Sequence, residues 1–368
     1  MIKLSYVCIM RGGIVMKPLS QKTLEKKYAE LGLSQKNIAL LHDYYNCFAN
    51  LYGIIMVKEA WDIFRHYEGV GLLHKKDFVA FSSIVQREAG HLYTILELKE
   101  VYSEETSQAP ADRLIVHNDL ICPGYGKYTL LYKTEEHRAD KPYYLPEDKQ
   151  KLLSFTTDRF YLSDVGRNMI RFLGNLKSDG HYKDYNGKTI GNISDIDGNP
   201  VKGKRLSDFV LCTQSERFDI EYHKSEAKKE RLRREYKTTA LDKIADRIRI
   251  EIQTDGYITA SPADTIEFLT EYMDRELGAG LTMGQLEQFM ELHTKLNNNS
   301  HLWLNCGWSP HGLSRHMGRG VPPSISIGPN LKRMFENGEM NRAEFEQSLK
   351  KLGVKLINQV IGNPNRRG

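Results

Sequence analysis

Between Ser20 and about Arg87 the apolar residues recur at intervals of three and four, the period of helices with one buried face. This spacing predicts helices near 20–31, 35–51, 57–67 and 75–88, punctuated by Gly32, Ser34, Gly53 and the Gly69/Gly71 pair. The pattern then changes. HLYTILELKEVYS and DRLIVHNDLI carry Tyr, Ile, Leu and Val in strand-like runs, joined by the polar, Pro-containing EETSQAPA. Helices followed by a β-hairpin is the order of a winged helix-turn-helix, and 17–124 is expected to be such a module.

Residues 125–178 return to the helical period, with Pro142 and Pro146 fixing a turn. The stretch 179–203, rich in Gly, Asp and Asn, reads as a linker or small hairpin with a turn at Asp197-Gly198-Asn199, and is the expected domain boundary. From 204 to 368 the pattern is helical again, with a charged segment at 223–251 and a last amphipathic helix after Asn341. The expected fold is therefore α+β and mainly α: a helical N-terminal unit with a winged-helix-like β-hairpin, plus a C-terminal helical unit.

A length of 368 residues suggests two or three domains. With 40% hydrophobic and 27% charged residues, wholesale disorder is excluded. No run approaches the ~18 apolar residues of a membrane span. Cys8, Cys47, Cys122, Cys212 and Cys306 are far apart and form no CxxC pair, which argues against a disulfide framework and points to a reducing cytoplasm. The net charge of +5 is small for this length, so it permits an anionic partner without requiring one. MIKLSYVCIMRGGIVM is a poor signal peptide, its apolar stretch being broken. Arg11-Gly12-Gly13 is encodable by a purine-rich run resembling a ribosome-binding site, so translation is expected to begin at Met16, leaving 1–16 as a non-native extension.

Two stretches are candidates for nucleic-acid contact. In a winged module KKDFVAFSSIVQRE would be the recognition helix, with Lys75, Lys76 and Arg87 near phosphates and Ser82, Ser83 and Gln86 facing bases. Glu97, Glu100, Glu104 and Glu105 on the hairpin oppose this, because acidic side chains repel the DNA backbone, and leave a protein partner as the other occupant. In the charged run Lys224, Lys228, Lys229, Arg231, Arg233, Arg234 and Lys237 outnumber Glu226, Glu230 and Glu235. Lys228, Lys229, Arg231 and Arg234 are the candidate phosphate contacts there. The competing account is a solvated helix with pairs such as Glu230–Arg234.

His301, Cys306, His311 and His316 lie five apart in NNNSHLWLNCGWSPHGLSRHMGRG. Two donor types in four side chains suffice chemically for zinc. Steps of five, however, turn each side chain by roughly 140° on a helix, where ligands normally sit three or four apart. The alternative is packing: Trp303 and Trp308 bury, Asn299 or Ser300 caps, and Ser309-Pro310 opens a helix. No GxxxxGK[ST], GxGxxG, HExxH or GxSxG motif occurs. Asp195-x-Asp197 places its Gly too early for a calcium loop. Glu88 and His91 form an acid–base pair by spacing only.

Asn298-Asn299-Ser300-x-x-Trp303, followed by Gly307-x-Ser309-Pro310 and Leu313, resembles a segment of uncharacterised cytoplasmic proteins of Gram-positive bacteria, many of which end in an SEC-C zinc knuckle. Asn50-Leu51-Tyr52-Gly53-Ile54-Ile55, Ile63-Phe64, Asp77-Phe78 and Lys141-Pro142-Tyr143-Tyr144-Leu145-Pro146 fit the same group. The resemblance spans about 35–175 and 240–315, marks Asn, Trp, Gly and Pro rather than His301 or Cys306, and says little of activity. GNPNRRG has no Cys, so the knuckle and any role it carries do not transfer. The expected function is non-catalytic binding of a macromolecule, DNA, RNA or protein, with no cofactor. The alternatives are a zinc-dependent hydrolase or nuclease built on His301, Cys306, His311 and His316 with His293 as a further donor, and a protein-interaction scaffold.

Overall fold

The computed structural model describes residues 18–102, 109–121, 126–138, 141–254 and 262–317, with short pieces at 324–326, 341–343, 347 and 355–357. The expectations for 1–16, for Glu104 and Glu105, and for most of the helix after Asn341 lie outside the described residues. The chain is mainly helical with small, mostly antiparallel sheets, an α+β fold.

The first helices start where the sequence supplies a cap. Ser20 Oγ accepts from Thr23 N at 3.3 Å at the head of α1 (Gln21–Glu30), and Ser34 Oγ accepts from Asn37 N at 3.2 Å at the head of α2 (Gln35–Tyr52). Gly53, at φ 70°, ends α2 and turns the chain into β1 (Ile54–Met56). Next come α3 (Val57–Glu68), α4 (Lys75–Val85) and β2 (Tyr93–Leu96). A short helix α5 (Leu98–Val101) and a 3-10 turn at Pro110–Asp112 then precede β3 (Leu114–His117). β3 lies between β1 and β2, antiparallel to both, with Ile115 opposite Ile55 on one side and Ile95 on the other. The β2–β3 pairing agrees with the expected hairpin. β1 has no counterpart in the predicted elements, since three residues between helices are too few to display alternation.

Alternate residues of β3 face two cores. Ile115 joins Tyr44, Tyr45, Phe48, Phe64, Phe78 and Phe81, all of them fully or almost fully buried. Leu114 and Val116 join Leu130 and Leu131 of α6 (Thr129–Arg138) and the indole of Trp303. Buried tyrosine hydroxyls in the first core find partners: Tyr45 donates to Phe78 O at 3.2 Å and Tyr44 to Glu68 at 2.8 Å.

Beyond α7 (Lys149–Leu153) the chain builds a further core. It draws on α8 (Asp164–Asn175), α11 (Ala240–Gln253), α12 (Pro262–Leu277) and α13 (Met283–Asn299), through Met169, Leu173, Ile244, Ile248, Met273 and Phe289. The stretch 179–203 is a hairpin, β4 (His181–Lys183) with β5 (Thr189–Asn192), and it lends Tyr182, Ile193 and Val201 to that core. The strands β6 (Val210–Leu211) and β7 (Thr238–Thr239) pair around α9 (Gln214–Tyr222) and α10 (Glu226–Glu235). The first compact unit runs through this region to Pro310. The second unit, His311–Gly368, contains nearly all of α14 (Pro310–Met317) and a parallel pair, β8 (Ser324–Ser326) with β9 (Lys355–Ile357). No helix among the described residues is long and apolar enough to cross a membrane.

Candidate functional site

α4 presents a mixed face. Lys75 and Lys76 are exposed in its first turn, and Ser83 is exposed one face-length further on. Ser82 is a correction to the sequence expectation. Positions 78, 81, 82 and 85 share the apolar side, so Ser82 is fully buried and its hydroxyl donates to Val79 O at 2.7 Å. Ser83 accepts from Arg113 Nη1, while Gln86 and Arg87 are half-buried just beyond the helix. The acidic residues around this face are partly consumed. Arg113 Nε pairs with Glu97 at 2.7 Å and Lys58 with Asp112 at 2.9 Å.

The basic helix α10 packs on α9 through Leu232 against Ile220, with Cys212 and Tyr236 alongside. Its cations are largely answered: Lys229 lies 2.8 Å from Glu226, and Arg233 and Arg234 lie 3.6 and 3.8 Å from Glu230. α10 carries five cations against three anions and α9 one against three, so the helix pair balances. Lys228 and Arg231 are half-buried. Phe218 and Tyr222 stand out from α9, 71% and 70% exposed, with their rings stacked.

His301 and Cys306 have separate surroundings. His301 Nδ1 contacts Gly307 O at 2.5 Å, and its ring packs on Tyr144 and Phe155. Burial lowers its pKa from the ordinary value. Cys306 is buried in the left-handed region at φ 52°, and its Sγ accepts from Arg138 Nε at 3.3 Å. His311 and His316 are exposed on α14. His293 is buried beside Phe289 on α13.

The motif positions around Trp303 interlock with the N-terminal module. Trp303 Nε1 donates to Asn50 O at 2.9 Å, and Trp308 Nε1 donates to Pro142 O at 2.9 Å. Tyr144 N donates to Cys306 O, and Tyr52 OH donates to Tyr144 O. A Cβ on Gly53 would sit 2.5 Å from Trp303 Cγ, and one on Gly307 would sit 2.9 Å from the Tyr52 ring. These glycines and tryptophans are packing devices.

Among the described residues one group of at least three His, Cys, Asp or Glu side chains brings ligand atoms within 4.8 Å of one another: His42, Glu88 and His91. His42 comes from the middle of α2, and Glu88 and His91 from the turn between α4 and β2. Glu88 Oε2 is 3.7 Å from His42 Nε2 and 3.5 Å from His91 Nε2. The Tyr28 hydroxyl of α1 donates to Glu88 Oε2 and lies 3.3 Å from His42 Nε2. Burial, with a contribution from His91, pushes His42 down to about 4 despite Glu88 nearby. Burial works to raise the Glu88 carboxyl, but His91, Tyr28 and His42 outweigh it and hold it below its ordinary value. Spacing exposed only the Glu88–His91 half of this group. His42 and Tyr28 arrive through tertiary packing and leave no local signal.

No family model, curated protein or solved structure matches this chain.

Proposed function

We propose that this is a non-catalytic nucleic-acid-binding protein whose residues 35–117 form a winged-helix-like module, with α4 as the helix that enters the groove of duplex DNA. One observation carries the proposal. The order α2, β1, α3, α4, β2, β3, with β3 between β1 and β2, supports it, since helices followed by a hairpin is the order expected of a winged helix-turn-helix. Such folds contact DNA through the first turns of the second helix of the pair, and Lys75 and Lys76 occupy that position on α4. The pairing of Glu97 with Arg113 and of Asp112 with Lys58 supports the reading further, because it removes two carboxylates as repelling charges.

The resemblance to the SEC-C-associated group belongs to the same proposal.

The test is fluorescence anisotropy of the full chain with a generic labelled duplex at 50 and 200 mM salt. With three phosphate contacts, from Lys75, Lys76 and Arg87, the affinity should fall roughly 40-fold between the two. Absence of binding at 50 mM salt, or binding indifferent to salt, would remove the proposal.

A further inference from the structure

We infer that His42, Glu88 and His91 form a binding site for a divalent transition metal of the zinc class, a site that goes beyond the proposed DNA contact and does not depend on it. Two imidazoles and one carboxylate are the donor set of open zinc sites and of two-histidine, one-carboxylate centres. Ligands at 2.0–2.1 Å in tetrahedral geometry stand roughly 3.3 Å apart. Here Glu88 Oε2 stands 3.5 Å from His91 Nε2 and 3.7 Å from His42 Nε2, and all three ligand atoms lie within 4.8 Å of one another.

The His42 and His91 rings stack at 4.7 Å between centroids and 20° between planes, and His91 stacks in turn on Tyr93 at 5.2 Å, so one imidazole must rotate to aim its lone pair at an ion shared with the other. The Tyr93 hydroxyl lies 3.5 Å from His42 Nδ1, the nitrogen that faces away from Glu88, where an outer partner orients a ligating imidazole. His91 Nε2 is shielded from solvent, and its contact with Glu88 Oε2, at 3.5 Å, is longer than a normal hydrogen bond. A metal ion would satisfy that buried nitrogen more fully. The Tyr28 hydroxyl, which donates to Glu88 Oε2, lies 3.3 Å from His42 Nε2. The three side chains are 18–20% exposed. The ligands come from α2 and the turn after α4, so an ion there would tie together two elements of the N-terminal module.

The test uses the full-length protein, stripped with a chelator and titrated with cobalt(II) by absorption spectroscopy and with zinc(II) by calorimetry. One equivalent of each should bind, with cobalt visible bands of a low-coordinate nitrogen and oxygen site and no thiolate charge-transfer band. His42→Ala and His91→Ala should each weaken binding by at least about 100-fold. Glu88→Gln, nearly the same shape, should weaken it about as much while circular dichroism and Tm of the stripped protein stay close to wild type. A double variant, His301→Ala with Cys306→Ser, should bind as wild type does. Failure to bind one equivalent, or binding that survives His42→Ala and Glu88→Gln, would overturn the inference. So would loss of binding in the His301/Cys306 variant alone.

Discussion

Trp303 Nε1 donates a hydrogen bond to the backbone carbonyl of Asn50, 253 positions earlier in the chain. The indole is 1% exposed and lies against Gly53, whose missing side chain makes room for it. This contact fastens the bend after α13 to the end of α2. Trp303→Ala should cost about 3–5 kcal/mol by denaturant unfolding, through the cavity it leaves. Trp303→Phe should cost less, because it chiefly strands the Asn50 carbonyl. Gly53→Ala, with a positive φ and a Cβ inside the ring's contact distance, should also destabilise. Stability unchanged in Trp303→Ala would show that this joint does not hold the fold.

A second joint is ionic. Arg249 of α11 lies 2.5 Å from Asp119, which follows β3, and 3.4 and 3.6 Å from Asp246 and Asp158. Burial opposes the charge on the Asp119 carboxyl, but Arg249 and His117 hold it below the usual range. Removing the guanidinium leaves buried carboxylates without their cation, so Arg249→Met should cost about 3–5 kcal/mol. Replacing Asp119 and Arg249 together by Leu and Met should recover part of that loss, and a double-mutant cycle measures how much.

His293 gives the fold an acid limit. Burial against Phe289 pushes its imidazole from 6.5 down to about 4. The unfolded chain takes up the proton below 6.5 and the folded chain does not. Its contribution is therefore intact above pH 6.5 and is lost as the pH falls towards 4, at roughly 1.4 kcal/mol per pH unit. His293→Leu should flatten the fall in stability between pH 6 and pH 4. His42, His117 and His301 titrate in both proteins, so the difference between the two curves isolates this residue. Parallel curves would contradict the assignment.

Glu135 sets an opposite dependence. Burial raises its carboxyl to about 7 although Arg138 pulls the other way. The folded protein then binds a proton that the unfolded chain has released, so this stabilisation is full below pH 4.5 and disappears as the pH rises through 7. Glu135→Gln should remove that decline, seen as a smaller drop in Tm between pH 5 and pH 8.

The helical period located α1 to α4 to within a few residues, because Ser20, Ser34 and the Gly breaks mark ends that backbone chemistry requires. The β2–β3 pairing was legible for the same reason: Tyr93, Ile95, Ile115 and Val116 belong to runs that only a strand explains. What remained hidden was whatever depends on distant packing. β1 is too short to alternate, and although 179–203 reads as a linker or small hairpin and is a hairpin, its polar composition conceals that Tyr182, Ile193 and Val201 belong to a core. Ser82, being polar, reads as outward-facing, although its position in the period with Phe78, Phe81 and Val85 turns it inward. The histidine cluster joins positions 28, 42, 88 and 91, and no single-sequence spacing rule connects the first two to the last.

The most direct test of the central proposal is duplex DNA affinity by anisotropy for wild type and for Lys75→Glu/Lys76→Glu, with Lys228→Glu/Lys229→Glu as a control of equal charge change. Recognition through α4 predicts at least a roughly 10-fold loss and a salt slope smaller by about two for the first variant, and an affinity within about twofold of wild type for the control. Equal affinities for wild type and the α4 variant, or a loss confined to the α10 control, would contradict it.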